Sequence, residues 1–366
     1  MKITAKITGI NYESKLSDKL KKVNFNEFDI NEISPSCVIN YNDFTFGFSK
    51  WVSPKRTRSY PYERIYNTLG KSKKITVIPI IKDEGKRGDR DFIQWDTISL
   101  MSLLDVYVIF SYYNKAEKHP KRENKITKQK FDNDLVISKI NQIKNYHSSA
   151  LHWNIKQTNN SFPALIEKVK STYKNLGEEL NVLFHGEKGI DNFANQFMTG
   201  VKDFMDTSRK KAEGAQNREF LTTQPNESLS TLTKATITIN NYLGGRYYFT
   251  TDEIKIQDKD IYLIECKHST KSILPSTGDI KDGLLKMVLY SNLEEVRVNE
   301  ITYNPIPFIR LTSTKVNGKL SSKDDDLKFN EFIEKNRLTK NQEKFIDNLF
   351  EEARRNRFIV KIENAI

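Results

Sequence analysis

Three charged residues stand where an apolar hairpin is expected. In TTDEIKIQDKDIYLIECKHS, residues 250–269, Asp252, Glu265 and Lys267 interrupt the alternation Ile254, Ile256, Ile261, Leu263 that reads as two short strands. The polar run Gln257 to Asp260 supplies a turn. With the turn centred on Asp258 and Lys259, Ile256 lies opposite Ile261, Ile254 opposite Leu263, and Asp252 opposite Glu265. Side chains alternate with a period of two, so Asp252, Glu265 and Lys267 share one face and Glu253 falls on the other with Ile264 and Cys266. A three-residue loop slips the pairing by one and presents Glu253 in place of Asp252, which keeps Glu253 as the alternative.

Two facing carboxylates repel, and one takes up a proton unless a cation lies between them. Carboxylate oxygens are the hard ligands Mg²⁺ prefers, and that ion keeps several waters when one or two carboxylates hold it. Such a water is a nucleophile at neutral pH, and Lys267 is placed to orient it or to offset charge developing on a phosphate. The chemistry this pattern points to is phosphodiester hydrolysis. The plainer reading of the same residues is a cross-sheet ion pair between Lys267 and Asp252. Cys266 and His268 point away and read as packing residues, and the chain carries no zinc-type Cys/His spacing and no phosphate-binding glycine loop.

The neighbouring segments must position this hairpin. Upstream, NESLSTLTKATITINNYLGG predicts a helix capped by Asn226 and stopped at Gly244, with a strand over residues 235–240 as the competing reading. Glu227 lies in the first turn of that helix, where it either answers the helix dipole or joins the metal site. Downstream, LPSTGDIKDGLLKMVLYSNL predicts a helix with Ile280, Leu284, Met287 and Val288 on one face. VRVNEITYNPIPFIRLTST then offers strands that Pro305 and Pro307 push toward a sheet edge.

The Asp252, Glu265-Cys266-Lys267 constellation, with twelve residues between its two acids, resembles the PD-(D/E)xK nuclease superfamily, although Thr251 stands where the name has proline. The resemblance implies an α/β fold: a mixed central sheet flanked by helices, a restriction-endonuclease-like core, here with an additional amino-terminal α+β portion. It also implies Asp252 and Glu265 as ligands of a Mg²⁺ cofactor, and Asp252, Glu265 and Lys267 as the catalytic set. As a stand-alone chain with a large basic accessory portion, the whole resembles a Type II restriction endonuclease. That implies a sequence-specific double-stranded DNA endonuclease acting as a homodimer, with a cognate DNA methyltransferase as its genetic partner. A structure-selective or defence-associated DNA nuclease and a non-catalytic DNA-binding protein are the alternatives.

Charge agrees with a polyanionic partner: the 366 residues carry a formal net charge of +12. The basic residues cluster. Lys55, Arg56 and Arg58 lie among Trp51, Tyr60, Tyr62 and Tyr66, a mixture suited to phosphates and stacked bases, and Lys86, Arg87 and Arg90 form a second candidate DNA contact. Lys115 to Lys130 predicts an exposed charged loop that orders on DNA. Asp83, Glu84, Asp89, Asp91 and Asp96 make a rival metal site, set aside because no Lys follows an acid by two on a clear strand there.

The expected organisation is an amino-terminal basic DNA-contacting portion over residues 1–130, a helical connecting region over 131–215, and the catalytic core with a carboxy-terminal helix over 216–366. Phe345, Leu349 and Phe350 on that last helix are a candidate dimer face. Only Cys37 and Cys266 are present, which excludes a disulfide framework. No apolar run is long enough to span a bilayer and MKITAKITGI lacks the apolar stretch of a signal peptide, so a cytoplasmic location is expected.

Overall fold

A computed structural model describes residues 1–54, 64–198, 204–206, 210, 213, 214, 217, 234–241 and 246–365. In chain order its strands are β1 (Lys2–Ile7), β2 (Lys22–Asn24), β3 (Ser36–Tyr41), β4 (Phe44–Lys50), β5 (Lys74–Pro79), β6 (Ile81–Asp83), β7 (Arg90–Phe92), β8 (Val106–Ser111), β9 (Tyr113–Lys118), β10 (Ile126–Phe131), β11 (Ala235–Asn241), β12 (Arg246–Thr251), β13 (Glu253–Gln257), β14 (Asp260–Ser269), β15 (Glu294–Val298), β16 (Ile301–Ser313), β17 (Lys319–Ser321) and β18 (Ile359–Asn364). The chain forms two compact units, one from Met1–Asp18, Arg58–Gly70 and Lys211–Ile366 and the other from Lys19–Thr57 and Lys71–Lys210. These units are not the consecutive segments 1–130, 131–215 and 216–366 expected from the sequence. β1 pairs with β11 and β15, more than two hundred residues away, and nothing local in a six-residue strand announces its distant partners.

The first unit is built on a nine-stranded mixed sheet in the order β12-β11-β1-β15-β16-β14-β13, with β18 beside β16 and β17 beside β18. β14, β16 and β18 run parallel. Parallel neighbours require long crossovers, and these contain the helix Thr277–Tyr290 before β15 and the helices Asp326–Lys335 and Lys340–Arg355 before β18. Ile280, Leu284, Met287 and Val288 are buried as the apolar spacing predicts, and the Ser276 side chain caps this helix by accepting from the Asp279 N–H. The fold is thus α/β with a mixed central sheet flanked by helices.

Three expectations for this unit are corrected. β16 is central rather than an edge strand: residues 304–307 have β14 on one side, while β15 pairs only with 301–303 and β18 only with 308–313. The Asn304 N–H donates toward the β13–β14 turn at Lys259 O, so Pro305 and Pro307 turn their missing donors to the gap between β15 and β18. Residues 235–241 form a strand instead of a helix, with every second side chain buried; Asn226, Glu227 and Gly244 lie outside the described residues. The carboxy-terminal run is two helices and then β18, because the capping box of Thr339 and Gln342 restarts the helix and the β-branched Ile359, Val360 and Ile362 join the sheet. Leu349 and Phe350, offered as a dimer face, are buried within this chain.

The second unit holds a five-stranded sheet in the order β2-β3-β4-β5-β8 and two separate ribbons, β6-β7 and β9-β10. Its core gathers Phe28, Ile39, Phe48, Val77, Ile109 and Trp153. β8 is the sheet's edge, and the helix Ala150–Leu180 satisfies it: Asn154 accepts from Val108 N–H at 2.8 Å and donates to Val106 O at 3.0 Å, and the Trp153 indole donates to Val108 O at 2.8 Å. Lys115 to Lys130, expected as a loop, is the β9–β10 hairpin. Among the described residues no helix is long and apolar enough to cross a membrane.

Candidate active site

The hairpin forms in the register read from the residue pattern. Glu253 pairs with Ile264, Ile254 with Leu263, Ile256 with Ile261 and Gln257 with Asp260, and Asp258 takes the left-handed φ of 53° that an Asp in a turn tolerates. The ladder stops at Glu253, and side chains continue it. Thr251 Oγ1 donates to Ile264 O at 2.9 Å, and Asp252 Oδ2 accepts from the Cys266 N–H at 2.8 Å. Asp252 is thereby fastened to the strand that carries Glu265. Glu253 goes to the other face, where Arg310 Nη1 donates to it at 3.0 Å, so Asp252 and not Glu253 neighbours Glu265.

Glu265 is only 2% exposed. Lys267 Nζ lies 2.9 Å from its Oε1, and Lys286 Nζ lies 2.6 Å from its Oε2. Lys267 also donates to Asp282 at 2.9 Å, and Lys286 to the backbone carbonyl of Thr250 at 2.9 Å. Asp282 and Lys286 occupy positions i and i+4 of the helix Thr277–Tyr290, and that spacing aims both at the sheet. Gly283 lies between them; a Cβ there would stand 3.6 Å from Glu265 Cγ and 3.6 Å from Lys267 Cε, which places this helix turn directly over the pair.

The electrostatics follow from this packing. Burial and the Glu265 charge push the Asp252 carboxyl up to about 7. Burial also opposes ionisation of Glu265, but Lys267 and Lys286 outweigh it and hold the carboxyl below its ordinary range. For Lys267, desolvation disfavours the charge while Glu265 and Asp282 favour it more strongly, so it stays protonated well above neutrality. Three carboxylates, Asp252, Glu265 and Asp282, meet two ammonium groups, Lys267 and Lys286. These named side chains are one positive charge short when Asp252 ionises.

Both Glu265 oxygens already have ammonium partners, and among the described residues no group of three or more His, Cys, Asp or Glu is arranged to hold a metal ion. Asp282 and Lys286 are the members that reading the hairpin alone misses. Their signal was the i, i+4 acid and base beside the apolar stripe of the next helix.

The remaining candidates are dispersed. Lys55, Arg56 and Arg58 lie outside the described residues, and Trp51 and Tyr66, offered as stacking residues, are buried. Lys86 and Arg87 are exposed in the β6–β7 turn. Arg90 is not available with them: its guanidinium donates to Gly186 O at 2.8 Å and lies over the Phe92 ring. The rival acids separate likewise. Asp83 lies 2.9 Å from His185 Nδ1, Glu84 pairs with Lys82 at 2.7 Å and Lys125 at 2.9 Å, Asp91 accepts from Ser53, Asp96 accepts from the Thr97 N–H in its own helix turn, and Asp89 is exposed. The chain matches no protein-family model, and comparison with curated proteins and with solved structures gave no match.

Proposed function

We propose that this chain is a Mg²⁺-dependent endonuclease of double-stranded DNA, belonging to the PD-(D/E)xK superfamily and, more finely, a Type II restriction endonuclease acting as a homodimer. The observation that carries this reading is the fastening of Asp252 beside the buried, twice-bonded Glu265, with Lys267 on the same face. With its carboxyl pushed up to about 7, Asp252 would give up its proton on holding a divalent ion, which would offset the charge the cluster lacks. Asp252 and Glu265 would hold the ion, which when bound supplies Lewis acidity and lowers the pKa of its water. Lys267 contributes a fixed positive charge that offsets charge building on the phosphate. Lys286 grips Glu265 Oε2 and sets the orientation of that carboxylate. A second reading, a DNA-binding protein without catalysis, is favoured by the same two lysines: both Glu265 oxygens already have cationic partners.

Plasmid cleavage in Mg²⁺, with the ends sequenced, separates these. Asp252→Ala, Glu265→Ala and Lys267→Ala should each lower cleavage by about 100-fold or more while duplex affinity in Ca²⁺ is largely retained. Cleavage near the wild-type level for Lys267→Ala, or no cutting by the wild type, would remove the hydrolytic reading. Ends confined to one short sequence support restriction; scattered ends move the chain to a structure-selective or defence-associated nuclease. Mixed preparations of wild type and Lys267→Ala should yield nicked duplexes if two chains act together.

A further inference from the structure

Two basic clusters that are distant in sequence are fused into one rigid surface in the second unit. The turn between β6 and β7 abuts the tip of the β9–β10 ribbon: Ile126 N–H donates to Glu84 O at 2.9 Å and Arg87 N–H to Asn124 O at 3.1 Å. The approach is backbone on backbone. Gly85 has φ +92°, and a Cβ there would stand 2.5 Å from Asn124 O, so only glycine permits it. At the tip itself His119 Nδ1 accepts the N–H groups of Lys121 and Arg122, each at 3.1 Å. Lys86, Arg87, Lys121 and Arg122 are exposed on this assembly. Of the nearby carboxylates, Glu84 is engaged by Lys82 and Lys125 and Glu117 by Lys128, while Asp89 in the turn and Glu123 at the tip are exposed among the basic residues.

Lys115 and Lys130 are directly opposite at a register shift of the β9–β10 ladder, both are exposed, and Lys130 lies 3.5 Å from Glu32. Like charges opposite one another destabilise a strand pair; Glu32 offsets part of that cost, and a polyanion lying along the ribbon offsets the rest. Tyr113, Ile126 and Phe131 are buried, and Gln129 donates to Asp83 O at 3.1 Å and accepts from the Tyr173 hydroxyl at 3.0 Å, so the ribbon presents its charge from an anchored base.

We infer that this composite patch, the β9–β10 ribbon with the β6–β7 turn, is a binding surface for B-form duplex DNA. A two-stranded ribbon fits the major groove of B-DNA, about 12 Å wide, whereas the major groove of A-form RNA is too deep and narrow to admit it. The surface names the partner of the nuclease proposed above, yet it is read through binding rather than cleavage.

The test measures anisotropy of a fluorescent random-sequence DNA duplex in Ca²⁺ across a salt series. The four-fold variant Lys86→Ser, Arg87→Ser, Lys121→Ser, Arg122→Ser should bind more weakly, by about 100-fold or more, near physiological salt, with the slope of log K against log[salt] shallower by about 3.6. The charge-retaining variant Lys86→Arg, Lys121→Arg should bind like the wild type, which separates lost charge from a damaged fold. Unchanged affinity and slope in the four-fold variant overturns the proposal, as does equal or tighter binding of an RNA duplex. Asp252→Ala measured in parallel keeps the two readings apart. Weakened binding by the four-fold variant, with no Mg²⁺-dependent cutting by the wild type, supports the patch and removes the nuclease. The converse pair of results does the opposite.

Discussion

Each unit of this protein contains an acidic group, and the two are resolved in opposite ways. In the first unit, neighbouring strands bring Asp252 beside Glu265, and two lysines and Asp282 close around the buried Glu265 carboxylate. In the second, Asp83, Glu84, Asp89, Asp91 and Asp96 are closer together in sequence but each finds a separate partner or solvent. Asp83 and Asp91 also lie on paired strands, β6 and β7, but opposite Arg90 and Lys82, whereas Asp252 and Glu265 fall beside each other, so register decides which acids meet. The concentrated set is left with an unresolved charge when Asp252 ionises.

The largest expected effect tests that unresolved charge. In metal-free buffer Asp252→Asn should be more stable than the wild type at pH 8, on the order of 4 kcal/mol, because the carboxyl is pushed up to about 7 in the fold and ionises near 3.9 when unfolded. The sign follows from proton counting: between those values the folded state holds the extra proton, so wild-type stability is full below about pH 4 and declines as pH rises through 7. Urea unfolding across pH should therefore show the two proteins converging near pH 4. A gap independent of pH would mean that Asp252 carries no charge conflict.

An intermediate effect is expected on the dispersed side. Asp83→Ala removes the partner of His185 and the acceptor of the buried Gly85 N–H, 2.9 Å away, and should cost about 1–3 kcal/mol in urea unfolding. Cleavage should stay within about two-fold of the wild type once the fold is intact, since functional and structural acids are separable by kinetics at constant stability. Loss of cleavage in a folded Asp83→Ala protein would reinstate the rival site and end the contrast.

The smallest effect concerns the helix turn over Glu265 and Lys267. Gly283→Ala places its Cβ at ordinary contact distance, 3.6 Å from each neighbour, and should stabilise the helix by about 0.5–1 kcal/mol without altering cleavage. A thermal melt and a cleavage rate on the same preparation check this. Reduced cleavage in a more stable protein would show that the space above the pair is used.

The hairpin was legible before any coordinates. A run of alternating isoleucines around a polar turn points to the register and the face on which Asp252, Glu265 and Lys267 fall, since period and turn length are local properties, but only the fold decided against the one-residue slip that presents Glu253. The amphipathic helix over 277–290 was legible for the same reason, as its apolar stripe repeats within one segment. The strand at 235–241 was the harder reading, because a short Thr- and Ile-rich run satisfies either period until a sheet claims it.

What the tertiary structure alone decided is what meets across long chain distances. β1 enters the sheet of the carboxy-terminal half, β16 tolerates two prolines because its other neighbours end short of them, and Asp282 reaches Lys267 and Lys286 reaches Glu265 because a crossover helix is laid over β14. The basic ribbon and the β6–β7 turn became one surface through a glycine that allows two backbones to touch. Residue pattern determines which side of an element is apolar and where it turns. Which charges become neighbours depends on packing between elements, where the desolvation of each group is settled by partners that no local window contains.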